Sequence, residues 1–218
     1  MSLLSTLIII CSKSPNPKLY ECINKLYKIQ IGNDLNYKIC VIDSDSEDLT
    51  NYELIKNDFP NVDLCFVKNK NYEYGAWKYG YSTFPNFDIY ICIQDSIIIK
   101  KKIPLDVVND EYSYTFDKYN TGYFHDPALK EEGMKFMEDS GLDYKDEINA
   151  WFPLAQHSSF IVSNSVIKDI FLTLKHPPTN KAGSCIYERN FGLYFVLKKN
   201  KKTINLYDYM DKIHGNRD

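Results

Sequence analysis

Residues 87–100 read FDIYICIQDSIIIK: the run is apolar over residues 89–93, stops at Gln94-Asp95-Ser96, resumes as Ile97-Ile98-Ile99 and ends on Lys100-Lys101-Lys102. A run that is apolar at every position suits a strand buried on both faces, as in a parallel sheet covered by helices. Open α/β sheets present ligand-binding groups just beyond the carboxyl ends of such strands. The polar triplet falls at that place, and Asp95 is the side chain to account for. It is either a ligand-binding carboxylate or a turn residue that caps its own backbone.

Upstream, the same rhythm repeats. Residues 6–11 form an apolar strand entering the turn Ser12-Lys13-Ser14-Pro15. Asn16-Pro17 then starts a helix, with proline in the first turn. Leu19, Cys22, Ile23, Leu26 and Tyr27 share one face of that helix, which is expected to run to residue 29. A second strand over residues 37–42 ends in Asp43-Ser44-Asp45-Ser46-Glu47-Asp48, a helix follows over 49–59, and a third strand occupies 62–67. A short helix over 76–84 leads back to the opening run. Strands alternating with helices imply a mostly parallel sheet flanked by helices. The loops carrying Ser12 and Lys13, Asp43 and Asp45, and Asp95 then converge on one sheet edge as a nucleotide-sized crevice.

Downstream the pattern is less regular. Strands are expected over residues 97–99, 111–116, 158–162 and 203–206, and helices over 128–140, 165–174 and 181–199. The tail 207–218 is polar and holds His214. With no linker, repeat or low-complexity stretch, the 218 residues read as a single domain with halves at 1–100 and 101–218.

Composition narrows the function classes. The net charge of −3 and pI near 5.8 give no electrostatic footprint for nucleic acid. The six cysteines, Cys11, Cys22, Cys40, Cys65, Cys92 and Cys185, form no CxxC pair, and four lie in apolar runs. They read as buried free thiols in a reducing compartment rather than as disulfides or a zinc site. His125, His157, His176 and His214 show no i, i+4 zinc spacing. The apolar N-terminus lacks a basic region and a cleavage site and is too short to span a bilayer, so a cytoplasmic protein with no transmembrane segment is expected. The 18 tyrosines suit either an AT-rich coding sequence or a surface for stacking sugars.

Four segments in this order resemble the GT-A-type glycosyltransferases, enzymes that take a nucleotide-diphosphate sugar as donor. VIDSDSEDL (41–49) looks like the second-strand segment whose acidic residue meets the base or ribose. NKNYEYGAWKYGY (69–81) looks like the Asn-x-Gly-x-x-Gly-Ala-x-x-x-Gly region that runs under the donor. IQDS (93–96) occupies the place of the Asp-x-Asp motif that ligates manganese or magnesium, and SSFIVSN (158–164) looks like a later strand lining the acceptor side. In size and character the chain is also similar to small single-domain glycosyltransferases of large DNA viruses, which would put it in host cytoplasm.

The resemblance implies a GT-A-like (Rossmann-like) fold with a nucleotide-binding half (1–100) and an acceptor-side half (101–218). It implies transfer of a sugar to a glycan or other hydroxyl, assisted by Mn²⁺ or Mg²⁺. Asp95 would hold the metal, with His214 as a late second ligand; Gln94, or Ile93 in another alignment, stands where the motif has its first carboxylate. One carboxylate suffices where phosphates and water complete a hard cation's shell. Glu188 in CIYERNFG would be the base of an inverting reaction, with Asp126 in reserve.

For the donor, Asp43 would contact ribose or base, with one aspartate of the pair Asp43 and Asp45 capping the next helix. Ser12 and Lys13 would contact the donor or stand in a solvated loop, and Ser96 would join the donor contacts. Tyr74 and Gly75 would let backbone approach the donor, Lys78 would meet phosphate or stand on an exposed helix face, and Trp77 reads as core. Two other readings are a degenerate sugar- or partner-binding module, favoured by the missing carboxylate, and a nucleotidyltransferase. The latter would carry a glycine-rich loop after strand one, which residues 11–16 lack.

Overall fold

The computed structural model describes residues 4–13, 15, 17–117, 127–143, 152–198 and 202–213. The opening run is β4 (Ile89–Gln94), fourth of the strands β1 (Thr6–Ser12), β2 (Tyr37–Ser44) and β3 (Val62–Val67) that precede it. They are linked through α1 (Pro17–Lys25), α2 (Thr50–Asp58) and α3 (Tyr72–Thr83). Beyond β4 come β5 (Ile97–Ile99), β6 (Tyr112–Thr115), α4 (Pro127–Asp139), β7 (Phe160–Ser163), α5 (Asn164–Thr173), α6 (Lys181–Leu197), β8 (Lys202–Asn205) and β9 (Met210–Lys212). Among the described residues, seven strands form one sheet in the order β3-β2-β1-β4-β7-β6-β8, and β5 and β9 form a separate two-stranded sheet.

β1 to β4 are parallel, and β7 runs antiparallel to both β4 and β6. The sheet is therefore mixed but mostly parallel, with helices on both faces. Alternation along β1 and β4 shows why their central residues, 7–11 and 89–93, are all apolar. Leu7, Ile9, Tyr90 and Cys92 enter a core with Trp77 of α3, Ile167 of α5 and Phe191 of α6. Ile8, Ile10, Ile89, Ile91 and Ile93 enter the opposite core with Leu19, Cys22 and Ile23 of α1 and Ile55 of α2. Each such side chain withdrawn from water contributes about 1.5–3 kcal/mol. Gly80 brings α3 close to the sheet: a Cβ there would come within 2.7 Å of Ile9 Cδ1.

Three expectations shift at their edges. α3 starts at Tyr72 rather than at residue 76. The first helix leaves α geometry at Lys25 and continues as a π-helix, Leu26–Ile31, closed by Gly32 at φ 58°. The tail expected to be merely polar contains β9, whose Met210 is buried while Asp211 is exposed. All six cysteines are free thiols. No helix among the described residues is long and apolar enough to cross a membrane.

Candidate active site

β1 lies between β2 and β4, and the chain builds outward from it first to β3 and then, on the other side, to β4. Such a switch of direction opens a crevice at the strands' carboxyl ends. The last paired residues there are Ser12 with Asp43 and Cys11 with Gln94. The resulting cleft has a volume of about 500 Å³, with Lys13, Asp45, Glu73, Gln94, Asp95 and Lys212 among its lining residues. The sequence reading that the three loops meet is thus matched by the geometry.

Asp95 caps the crevice floor. Its backbone N–H donates to Cys11 O at 3.1 Å, and its carboxylate accepts from the buried Ser12 hydroxyl at 3.0 Å. Burial pushes its pKa up, against the pull of Ser12 and of the Lys212 charge. Gln94 beside it donates to Glu73 Oε1 at 2.6 Å, and Glu73 Oε2 accepts from Ser184 of α6 at 3.0 Å. Lys212 Nζ donates to Gln94 Oε1 and to Ser96 Oγ. Burial lowers the Lys212 pKa, while Asp95, Glu73 and Glu188 act on its charge in the opposite direction.

Glu188, on α6, belongs to the same electrostatic neighbourhood. Its Oε1 accepts from the backbone N–H of His157 at 3.0 Å. Burial raises its pKa, the His157 bond lowers it, and Glu73 raises it further. His157 (φ 58°), which makes this contact, and its neighbour Ser158 (φ 50°) share positive φ with Asp45 (φ 65°) and Tyr72 (φ 52°) at the cleft rim. These are the positive-φ non-glycine residues among those described, and strain of this kind gathers at functional sites.

Other expected donor contacts take different places. The Asp43 carboxylate is committed to its own turn, accepting from the Tyr52 hydroxyl at 2.7 Å and from Ser46 through both its backbone N–H and its hydroxyl. Asp45 is exposed and lines the cleft. Tyr74 is buried among Phe171, Tyr187 and Phe191, with its hydroxyl donating to Leu174 O at 2.5 Å. Gly75 is needed for packing: a Cβ would stand 2.0 Å from Asn69 Oδ1. That Asn69 side chain ties the loop together, donating to Ser44 Oγ at 3.1 Å and Tyr72 O at 2.7 Å and accepting from Asn71 N. Lys78 is exposed on α3 and lines a separate groove with Tyr74, Gly75 and Pro177. Trp77 is core, as expected, and donates to Ser158 O at 3.0 Å.

Glu73, Ser184 and Lys212 were missed by sequence reading. Glu73 sits inside the NYEYG segment, with nothing in its spacing to separate it from a first-turn helix acid. Lys212 lies in a stretch read as polar tail, with no signal in the sequence for its place.

Among the described residues, no three His, Cys, Asp or Glu side chains gather in a way that could hold a metal ion. Asp126 and His214 lie outside the described residues. A divalent cation placed against Asp95 would face the Lys212 ammonium, and the oxygens of Gln94 and Ser96 already accept from that ammonium. These donors do not fit a divalent ion.

The fold is GT-A-like. The crystal structure of S. aureus TarS matches 95% of this chain with a TM-score of 0.58 at 10% identity, and the chain spans 36% of that structure's length. The crystal structure of GalNAc-T7 with UDP, GalNAc and Mn²⁺ matches 45% of this chain and 19% of its own at 17% identity, with a TM-score of 0.39. No family model and no curated protein matches the sequence.

Proposed function

We propose that this chain is a glycosyltransferase, moving a sugar from a nucleotide-diphosphate sugar to a hydroxyl acceptor such as a glycan. The observation that carries this reading is the cleft at the strand switch point, which brings Lys13, Asp45 and Asp95 together beside the half-buried carboxylate of Glu188. Cations and backbone ends at such a crevice suit a nucleotide diphosphate. Asp45 is the acid placed to accept from ribose or base, and Lys13 and Lys70 are the cations at the rim.

In an inverting transfer the acceptor oxygen attacks the anomeric carbon, the bond to the diphosphate oxygen breaks, and the acceptor proton passes to Glu188. A carboxylate whose pKa is raised by burial is better matched to that task than an exposed one. The negative charge gathers on the departing nucleoside diphosphate, and preorganised donors stabilise it. The division into a donor half (1–100) and an acceptor half (101–218) belongs to this proposal.

A panel of UDP-, GDP-, ADP-, CDP- and dTDP-sugars, scanned by thermal shift and calorimetry, tests it. Binding of one donor and slow release of its nucleoside phosphate support transfer. Binding without any hydrolysis favours the sugar-binding module that Gln94, in place of a second carboxylate, suggests. Failure of every donor sinks the proposal.

A further inference from the structure

We infer that the ammonium of Lys212 takes the place of a divalent ion in this cleft, binding the diphosphate of the donor and offsetting the charge of the leaving group, so that the chain works without metal. The inference rests on the nucleotide-sugar reading above.

The placement is built by the fold. β5 follows the Asp95 turn directly, and β9 pairs with it so that Lys212 stands opposite Ile97. Nζ donates to Gln94 Oε1 and Ser96 Oγ, which flank Asp95 in the chain. An ammonium has three donors. Two of Lys212's are spent on neutral oxygens, and Lys212 is in none of the ion pairs found within 4.0 Å among the described residues. A half-buried cation held by neutral acceptors keeps its charge available to an anion, and a phosphate oxygen suits it as a point charge. The surrounding acids, Asp95, Glu73 and Glu188, favour the protonated amine without closing on it.

Gln94 explains the arrangement. A carboxylate in its place would pair with Lys212 and cancel its charge, and would face Glu73 as a like charge. The amide does neither, since it donates to Glu73 and accepts from Lys212. Gln94 is thus a positioning residue for the ammonium.

The test measures calorimetric binding of UDP, GDP, ADP, CDP and dTDP, with the matching monophosphates, in EDTA and in Mn²⁺. One diphosphate is expected to bind in EDTA with an affinity similar to that in Mn²⁺. Lys212→Met should weaken that diphosphate by about tenfold or more while moving the monophosphate little, and Lys212→Arg should restore most of the loss. A purely structural role would move both nucleotides together and so overturns the inference. Should Lys212→Met fail to fold, Gln94→Glu serves instead: it leaves the lysine but neutralises it, so diphosphate binding should fall in EDTA and recover in Mn²⁺. Binding by the wild type only in Mn²⁺ overturns the inference and leaves the donor reading standing. Absence of binding by any nucleotide in either condition overturns both.

Discussion

Lys212 reaches back 118 residues to donate to the side-chain oxygen of Gln94, whose amide nitrogen in turn donates to Glu73 at 2.6 Å. One neutral side chain thus joins a carboxylate to an ammonium at the carboxyl end of β4. Glutamine can do this because its amide carries both an acceptor oxygen and two N–H donors. A carboxylate at position 94 would instead pair with that ammonium and cancel its charge.

Glu188→Gln should lower transfer by about 10²–10⁴-fold while leaving nucleotide affinity nearly unchanged. The pH dependence has a definite sign. Burial raises the Glu188 pKa, and a base must be deprotonated to act, so activity falls as pH drops through that raised value. In kcat profiles the acid limb should lie above the range of an exposed glutamate. A limb at ordinary carboxylate pH, or one that survives in the variant, removes Glu188 from the role.

Asp95→Asn should cost turnover yet leave the fold as stable or more so near neutral pH. A carboxyl raised by burial binds its proton more tightly folded than unfolded. Its stabilising contribution is present below the ordinary carboxylate pKa and is lost as pH rises through the raised value. The stability gap in favour of the variant should therefore widen with pH, as read from urea midpoints between about pH 4 and pH 8. A gap that narrows over that window contradicts the stated cause.

Gly75→Ala should destabilise by about 1–3 kcal/mol, because the new methyl meets Asn69 Oδ1 at 2.0 Å. Asn69→Ala removes the nearest obstacle and leaves Asn71 Cβ at 2.9 Å, so the double variant should lose less than the sum of the single losses. Additive losses in chemical denaturation mean that Gly75 is held for another reason.

Tyr74→Phe tests the aromatic cluster. Losing the hydroxyl that donates to Leu174 O should cost about 1 kcal/mol and leave nucleotide affinity alone. A drop in affinity at unchanged stability would return Tyr74 to the donor site.

The fold was legible where the physics is local. β4 is apolar from Ile89 to Ile93 because its two faces enter two cores, and that is visible in fourteen residues of sequence. The placement of Asp95 and Lys13 followed from strand ends and a switch in direction. Side-chain surroundings were not legible where they depend on packing. Tyr74 and Gly75 lie in a segment that resembles a donor-binding region, yet their partners are Leu174 and Asn69. Asp43 and Asp45 are chemically alike in the sequence, and the bonds from Ser46 and from the Tyr52 hydroxyl of α2 show which one is tied down. Lys212 was beyond reach because its meaning rests on pairing with a three-residue strand far away in the chain.

The most direct measurement is a crystal structure of the protein soaked with the tightest-binding nucleotide-sugar in metal-free buffer. The account predicts the diphosphate in the switch-point cleft, an oxygen against Lys212 Nζ, the nucleoside toward Asp45 and the anomeric carbon facing Glu188. A donor seated instead in the groove beside Gly75 and Lys78, or bound only through a metal ion on Asp95, would contradict it.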